Sequence, residues 1–492
     1  MGIDPRQFVL LAIALGVPVV AFLMNRTRWI LPWIGFTLFV QVFDTAILTN
    51  LPAGRIVGLF YLPVMVATFR RWIALAPAKA WLLNFVYLAA LGLVLGLAFP
   101  WPDTTGMRAF TLRAEGRTII FMIRTISDLS LTVFVMNQLA KPGAFDTLRR
   151  SMIVGIVANA FAAIGWVLLH LDAYGLITGI RGYAVQEGGR ARGLTYEPRG
   201  LGLACAFGLV LILGKHLRRR RDWVLLALVG LALLLSISAS GIAAAIVGLV
   251  AIAMFGSTRT RLALIFGGLV LVMSGLFLFV AVPSLREQVE LNLGWRLRGR
   301  GTVEANRAEN AFEAVAYRLD IFDASAALFL IRNPLYVVIG TGPGLITLPA
   351  SEHIPYGLYL AIWTSIDTPP THGLLLELAN TGILGVATWL FQVVWVMAAG
   401  KRLYRRRGLP FPPRTARTIF LGSAAVYAAQ AGVSPYWAVF LGIGWAIAEA
   451  AAVPSRAMRH AGPHEIRPGL TPIAATAGAP ALAPAPPRTL RS

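Results

Sequence analysis

Arginine and glutamate side chains are concentrated in a polar segment, residues 181–200, that leads directly into an apolar run. Four arginines lie there within nineteen residues: Arg181, Arg190, Arg192 and Arg199. A guanidinium group can bind two phosphate oxygens at once, so arginines at a membrane boundary suit an anionic headgroup. Pro198 is a suitable first residue for a helix, so Glu197 and Arg199 are predicted at the mouth of that helix. A local ion pair between Glu197 and Arg199 that fixes the loop is the alternative.

A second group of charges lies on a predicted amphipathic helix, residues 306–332, which should end at Asn333-Pro334. At 100° per residue, an apolar stripe is formed by Phe312, Val315, Leu319, Phe322, Ala326 and Phe329. One edge of the stripe carries Arg307, Arg318 and Arg332, and the other carries Glu309, Glu313, Asp320 and Asp323. The pattern fits an interfacial helix with ordinary charged flanks. It also fits a helix that binds a ligand with a lipid tail and an anionic head, with Arg318 nearest the apolar stripe.

A histidine and a glutamate open a later apolar run, in the stretch Pro369-Pro370-Thr371-His372-Gly373-Leu-Leu-Leu-Glu377. Thr371 is the predicted N-cap, which places His372 in the first turn, where the helix dipole disfavours imidazolium. A neutral histidine there could accept a proton near pH 7, or it could be a hydrogen-bonding anchor at the interface. Glu377 lies further in, and a carboxylate inside a membrane is costly enough to indicate a function.

Composition identifies the elements that must position these residues as membrane helices. Of 492 residues, 57% are hydrophobic and only 13% are charged, whereas soluble domains average about 25% charged. A soluble, disordered or fibrous protein is therefore excluded. The net charge of +22 would suggest nucleic acid for a soluble chain, but the bases lie mainly in short linkers between apolar runs, so no nucleic-acid partner is expected. The single cysteine, Cys205, excludes disulfides, and no cluster has the spacing of a metal site.

Thirteen apolar runs are long enough, or nearly so, to cross a bilayer core about 30 Å thick. They span residues 8–24, 29–48, 56–69, 81–99, 118–139, 152–171, 201–214, 223–237, 242–255, 262–282, 373–400, 418–431 and 437–453. The predicted fold class is all-α, a polytopic bundle of about 12–13 transmembrane helices with one large external loop containing amphipathic helices. Inside the runs, the spacing of Arg124 and Asp128 predicts that these two residues pair with each other.

The distribution of charge predicts the orientation of the bundle. One set of linkers holds 27 basic against three acidic residues, and the remaining segments hold 17 basic against 19 acidic. The basic set should face the cytoplasm. The predicted organisation is ten helices in 1–282 including an external loop at 172–200, a periplasmic loop at 283–371, three helices in 372–453, and a disordered cytoplasmic tail at 454–492.

The polar segments, in this order, resemble the bacterial O-antigen polymerase and O-antigen ligase superfamily. The stretch Arg192-Gly-Leu-Thr-Tyr-Glu197-Pro198 is similar to the Arg-x-Gly-x-x-x-Glu-Pro segment that enters a membrane helix in many polysaccharide polymerases. The family's large external loop is matched by Arg318-Leu-Asp-Ile-Phe, Asn333-Pro334 and Gly340-Thr-Gly-Pro-Gly344. His372 followed by Gly382 and Gly385 resembles the family's His-Asn/Ser stretch. Gly373 departs from that pattern, which puts the role of an amide or hydroxyl at this position in doubt.

The resemblance implies an all-helical bundle with a periplasmic catalytic cavity. It implies transfer of a glycan from undecaprenyl diphosphate to an acceptor hydroxyl, without a nucleotide sugar, cofactor or required metal. Arg192, Arg199 and Arg318 would hold the diphosphate, and His372 would deprotonate or orient the acceptor hydroxyl. Glu197 would orient an arginine or share the role of base. Further candidates from the residue patterns are Arg307, Arg332 and Glu377.

The leading hypothesis is a polymerase of undecaprenyl-diphosphate-linked repeat units for O-antigen or exopolysaccharide, in the bacterial inner membrane with its active site facing the periplasm. The nearest alternative is an O-antigen ligase that transfers the glycan to a lipid A core. An alternative of another class is a flippase or transporter of lipid-linked glycan. Expected partners are the lipid-linked donor, a glycan or lipid A core acceptor, membrane lipids and a chain-length regulator.

Overall fold

The computed structural model describes residues 4–44, 52–98, 113–180, 190–215, 219–256, 261–262, 264, 310–316, 319, 321–350, 353, 370–404, 406, 408–431 and 435–452. These residues all belong to one unit, Met1–Ala452. Every regular element that they form is helical, which confirms the all-α fold class.

The N-terminal half of the chain forms α1 (Pro5–Leu23), α2 (Ile30–Thr37), α3 (Ala53–Ala67), α4 (Phe69–Trp72), α5 (Ala76–Leu91), α6 (Ala114–Leu139), α7 (Ala144–Leu169), α8 (Ala173–Thr178), α9 (Pro198–Leu213), α10 (Arg220–Leu235) and α11 (Ala239–Phe255). The C-terminal half forms α12 (Ala311–Ala316), α13 (Ile321–Arg332), α14 (Pro334–Ile339), α15 (Thr347–Ala350), α16 (Gly373–Leu403), α17 (Pro413–Ala429) and α18 (Tyr436–Ala452). A π-helical turn, Gly92–Ala98, extends α5.

Five helices among the described residues are long and apolar enough to cross a membrane: α1, α5 with its π-helical extension, α6, α7 and α16. Four shorter apolar helices accompany them: α3, α9, α11 and α18. This composition agrees with the predicted polytopic helical membrane protein. The predicted run 262–282 lies outside the described residues except at positions 262 and 264.

The predicted run 29–48 is not one helix in its described part. Helix α2 ends at Thr37, and a short 3₁₀ turn, Gln41–Phe43, follows it. The backbone between them bonds to other elements: Asn159 Nδ2 donates to the Phe39 carbonyl oxygen at 2.6 Å, and the Gln41 amide donates to the Leu194 carbonyl oxygen at 3.0 Å. These tertiary hydrogen bonds satisfy backbone groups that would otherwise form hydrogen bonds within a helix.

Helix α9 lies in the centre of the bundle, and every residue from Leu201 to Leu213 is buried. Its Phe207 ring stacks on the rings of Tyr436 and Phe440 of α18, with centroid distances of 5.0 and 4.9 Å. Glycines bring α9 and α11 together, since a Cβ added to Gly241 would lie 2.6 Å from Gly202 Cα. This packing fixes the N-terminal turn of α9 beside the start of α11.

The prediction of one helix over 306–332 is wrong in its described part, because the chain forms α12 and α13 there, with a bend at Leu319 between them. Arg332 Nε lies 3.0 Å from Glu313 Oε1, although the two residues are 19 positions apart. In a continuous helix at about 1.5 Å per residue, that separation would be about 28 Å. Helix α12 begins at Ala311, later than the predicted start at residue 306. The Asn310 side chain accepts the Glu313 amide hydrogen at 2.9 Å, which stabilises the helix start at this point. The predicted end at Asn333-Pro334 is confirmed.

Helix α16 is broken near its start. Thr381 and Gly382 have non-helical backbone angles, and Gly382 has a φ of 62°. The Gly340–Gly344 turn supplies hydrogen bonds at the break: the amides of Thr341 and Gly342 donate to the carbonyl oxygens of Ala379 and Asn380 at 2.7 and 3.0 Å. The glycine-rich stretch therefore forms a turn that docks onto a membrane helix.

Candidate active site

The N-terminal ends of α9 and α16 meet α13 at one carboxylate, that of Asp323. His372 Nδ1 lies 2.9 Å from Asp323 Oδ2, and Arg199 Nη2 lies 3.9 Å from the same oxygen. The Asp323 side chain is fully buried, while the side chains of Arg199 and His372 are 17% and 39% exposed. The structure therefore brings together two of the predicted site residues, Arg199 and His372, around a third that was not predicted as a site residue.

Asp323 also holds the backbone that leads into α16. Its Oδ1 accepts the amide hydrogens of Thr371 and His372 at 2.6 and 3.2 Å, and its Oδ2 accepts a hydrogen bond from the Thr371 hydroxyl. The predicted N-cap, Thr371, is wrong by one residue: His372 is the N-cap and Gly373 is the first helical residue. Because the Thr371 hydroxyl is used by Asp323, it does not cap the helix.

The environment of Asp323 favours its ionised form. Burial has the largest effect and opposes ionisation, but hydrogen bonding and charge attraction from His372, with the hydrogen bonds from Thr371, outweigh it. The pKa of the Asp323 carboxyl consequently lies below its ordinary value. An ionised carboxylate beside Nδ1 fixes the orientation of the His372 ring and favours a proton on that nitrogen.

Arg199 is positioned by a residue at the end of α17. With the Gln430 amide oriented to satisfy its neighbours, its oxygen accepts from Arg199 Nε at 2.8 Å and its nitrogen donates to the Ser240 carbonyl oxygen at 3.2 Å. Little in the sequence marks Gln430 as a site residue, because it follows an apolar helix with no motif around it. Asp323 did carry a signal, since it lay among the charges of the predicted amphipathic helix.

Arg192 makes a different set of contacts. Its guanidinium group is 2% exposed and forms a two-pronged ion pair with Asp172, while lying 4.7 Å above the centre of the Tyr174 ring. It also donates to the carbonyl oxygens of Ile180 and Tyr196, at 3.2 and 3.3 Å. These contacts fold the segment before α9 onto itself.

Glu197 is the N-cap of α9, so the prediction that Pro198 is the first helical residue is confirmed. The Glu197 side chain is half-buried, and its backbone carbonyl oxygen accepts a hydrogen bond from the Thr195 hydroxyl at 2.8 Å. Glu377 accepts a hydrogen bond from the Tyr427 hydroxyl at 2.8 Å.

Of the three remaining predicted arginines, the structure describes one. Arg332 contacts Glu313 and keeps 45% of its side chain exposed. Arg307 and Arg318 lie outside the described residues. Among the residues described, no group of three or more His, Cys, Asp or Glu side chains has the arrangement of a metal site.

Gly373 has a steric explanation. A Cβ at this position would overlap the backbone carbonyl oxygen of Tyr427 in α17. The two segments are also tied together, because the Ala431 amide donates to the Thr371 carbonyl oxygen at 2.7 Å. The close approach of α17 thus accounts for glycine after the histidine, where the resembling family has Asn or Ser.

A comparison with known families finds a match to part of the chain. The family model of O-antigen ligase matches residues 224–390, about a third of the chain, and this span contains Asp323 and His372. A search of curated proteins finds no match to the chain. The family match supports the resemblance of the motifs to O-antigen ligases and polymerases, and the likeness covers the matched part of the chain.

Proposed function

We propose that the protein is a polymerase of lipid-diphosphate-linked glycan repeat units, acting on the periplasmic face of the bacterial inner membrane. The observation that carries the proposal is the contact of His372 with the buried Asp323, with Arg199 beside the same carboxylate. This arrangement combines a proton acceptor, a group that orients it and a cation for phosphate. Those are the groups that glycosyl transfer from a diphosphate requires.

In the proposed reaction, Asp323 keeps the proton of the His372 ring on Nδ1, so Nε2 accepts the proton of the acceptor hydroxyl. The acceptor oxygen forms a bond to the anomeric carbon of the donor glycan. The bond between that carbon and the phosphate oxygen breaks, and its electron pair leaves with the polyprenyl diphosphate. The proton on Nε2 then passes to water, which restores neutral His372.

The arginines stabilise the departing diphosphate in this proposal. Arg199 lies nearest the proton acceptor and binds phosphate oxygens through its partly exposed guanidinium group. Arg318 belongs to the same loop as Asp323 and is proposed as a second ligand, with Arg307 and Arg332 as further cations. Arg192 contributes by holding the segment that leads to Glu197 and Arg199.

An O-antigen ligase is the second candidate, favoured by the description of the matching family. The two functions share the donor and the proposed chemistry, and they differ in the acceptor. A polymerase adds a repeat unit to another lipid-linked glycan, whereas a ligase transfers the glycan to a lipid A core.

The test is complementation of a deletion strain with His372→Ala, Asp323→Asn and Arg318→Ala. Each variant should remove long glycan while the amount of protein in the membrane stays normal, because a positioned base contributes about 10²–10⁴-fold to the rate. His170→Asn is the matched control, since His170 is exposed and its left-handed φ of 53° suits asparagine.

Loss of the polymerase leaves single repeat units on the lipid A core, whereas loss of a ligase leaves long glycan on the polyprenyl carrier. Glycan of wild-type length in the His372 and Asp323 variants would contradict the site.

A further inference from the structure

A second polar cluster lies deeper in the bundle than His372. The guanidinium group of Arg55 in α3 forms a two-pronged ion pair with Asp128, midway along α6: Nε to Oδ1 and Nη2 to Oδ2 are both 2.9 Å. Arg55 is thus a partner of Asp128 from 73 positions away. Glu377 and Tyr427 form the other half of the cluster through their 2.8 Å hydrogen bond.

The two halves lie close together. Ala431, four residues after Tyr427, lies at the start of α16, where its amide donates to the Thr371 carbonyl oxygen at 2.7 Å. Packing also brings α3 close to the start of α18. A Cβ on Gly54, the residue before Arg55, would lie 3.0 Å from the Pro435 ring. We call Arg55, Asp128, Glu377 and Tyr427 the polar cluster.

The polar cluster lies next to the active site along α16. Glu377 follows His372 by five residues, which corresponds to about 7.5 Å along the helix axis. Charged groups in a membrane bundle are costly and normally face a partner or a water-filled cavity. Here both carboxylates have partners and remain partly accessible: the Asp128 side chain is 27% exposed, and Glu377 is half-buried.

We propose that the polar cluster is the binding site for the acceptor glycan, an inference that rests on the proposed function. Carboxylate oxygens accept hydrogen bonds from sugar hydroxyls, and a guanidinium group donates to them. The Tyr427 hydroxyl is buried and orients Glu377 through its hydrogen bond. The cluster has two carboxyl groups against one guanidinium, so it offers no net positive charge to a diphosphate. In contrast, the guanidinium group of Arg199 is a positive charge near His372. On the basis of charge, the diphosphate therefore binds near Arg199, and the uncharged hydroxyls of the acceptor bind near Glu377.

The kinetic test uses the full-length protein in lipid nanodiscs, with Tyr427→Phe, Glu377→Gln and Asp128→Asn. Each variant should raise the KM for the acceptor oligosaccharide about tenfold, the effect of about 1.4 kcal/mol for one lost hydrogen bond. The KM for the lipid-diphosphate donor should change less than twofold. A purely structural role would instead lower kcat or change both KM values together, and that result would overturn the proposal.

Asp128→Asn leaves Arg55 without its charge partner and can prevent folding. The double variant Arg55→Met with Asp128→Leu avoids this problem, because apolar residues of similar size replace a buried ion pair at little cost in stability. Glu449→Gln is the matched control: it breaks a different arginine–carboxylate contact, Arg71 Nε to Glu449 Oε1 at 2.6 Å, at the far end of α18. The double variant should show the acceptor defect, and Glu449→Gln should match the wild type.

A binding measurement separates this inference from the proposed function. Repeat-unit oligosaccharide, released from its lipid by mild acid, is titrated against the purified protein without donor, and saturation-transfer NMR follows binding. The wild type should bind it, and Tyr427→Phe and the double variant should bind at least tenfold more weakly. Such binding without glycosyl transfer would contradict the proposed function and leave the binding site standing. Equal binding by all variants, or a loss of undecaprenyl diphosphate binding instead, would overturn the inference.

Discussion

Asp323 connects three parts of the candidate site through a single buried carboxylate. One oxygen accepts the backbone hydrogens of Thr371 and His372, and the other lies against the His372 ring, with Arg199 further away. A change at this carboxylate therefore affects the start of α16, the orientation of the base and the neighbouring cation together.

The stability of the protein should depend on the ionisation of Asp323. Its pKa is lower in the folded chain than the ordinary value of about 3.9, so the unfolded chain takes up the proton at the higher pH. The stabilisation is complete above that ordinary value and is lost as the pH falls through the folded-state pKa. We expect the melting temperature of detergent-solubilised wild type to fall more steeply between about pH 5 and pH 3 than that of Asp323→Asn.

Scanning fluorimetry at half-unit pH steps measures this difference. The variant should be less stable at neutral pH and should approach the wild type at low pH. The other carboxyl groups are common to both proteins, so their titration cancels in the comparison. Parallel curves over the whole pH range would contradict a lowered pKa for Asp323.

Sequence alone identified Arg199 and His372 because charged and imidazole groups stand out at the end of an apolar run. It did not identify their partners, since Asp323 is 49 positions from His372 and Gln430 comes from another helix. Inside the bundle, four-residue spacing predicts a pair of Arg124 with Asp128, and the structure shows Arg55 in contact with Asp128. The tertiary contact with Arg55 is invisible to local spacing.

Among the helices, α16 depends on a segment outside itself. Its break at Thr381 and Gly382 frees backbone groups, and the glycine turn at 340–344 bonds to them. The side chain of Thr341 adds a hydrogen bond to the Ala379 carbonyl oxygen at 2.8 Å. The start of α16, with His372 and Glu377, is consequently held by residues 340–344 as well as by neighbouring helices.

Gly382→Ala should destabilise the protein by about 2 kcal/mol or more. The φ of 62° disfavours a side chain, and the added Cβ would overlap the Val338 carbonyl oxygen. Gly16→Ala in α1 is the matched control, because its Cβ meets nothing within 4 Å and alanine favours a helix. Thermal unfolding in the same detergent measures both variants. An equal melting temperature for Gly382→Ala and the wild type would contradict a fixed break.

Helices could be predicted from apolar runs, because a segment surrounded by lipid must form its backbone hydrogen bonds within itself. The prediction failed at 306–332 because apolar periodicity does not register the turn between α12 and α13: Phe312, from the predicted apolar stripe, is exposed, whereas Glu313 is buried. The contact of Glu313 with Arg332 depends on that turn, and a helical wheel cannot show it.

At the scale of the whole molecule, the central position of α9 links the N-terminal helices to the family-matched part of the chain. Helix α9 packs on α11 through Gly202 and Gly241, and its Phe207 stacks on α18. The proposed polar cluster extends this link, because Arg55 and Asp128 lie before the matched residues 224–390. Composition predicted the membrane bundle, but it could not predict which helices would meet at the site.

The predicted orientation is testable with paired reporter fusions in the full membrane context. A fusion after Ala350 should give alkaline phosphatase activity and no green fluorescence, because 283–371 is predicted to be periplasmic. A fusion after Lys215 should show the opposite, because that linker belongs to the set with 27 basic and three acidic residues. A cytoplasmic signal after Ala350 would contradict both the topology and the proposed location of the active site.

The docking of the glycine turn on α16 restricts how homologous enzymes can be recombined. A chimera that exchanges only the segment before α16 would bring in a turn whose amides must still match the carbonyl oxygens of Ala379 and Asn380. Any mismatch would leave those oxygens unsatisfied and shift the helix that begins after His372. Transplants of this segment should therefore move residues 338–344 and 379–382 as one cassette.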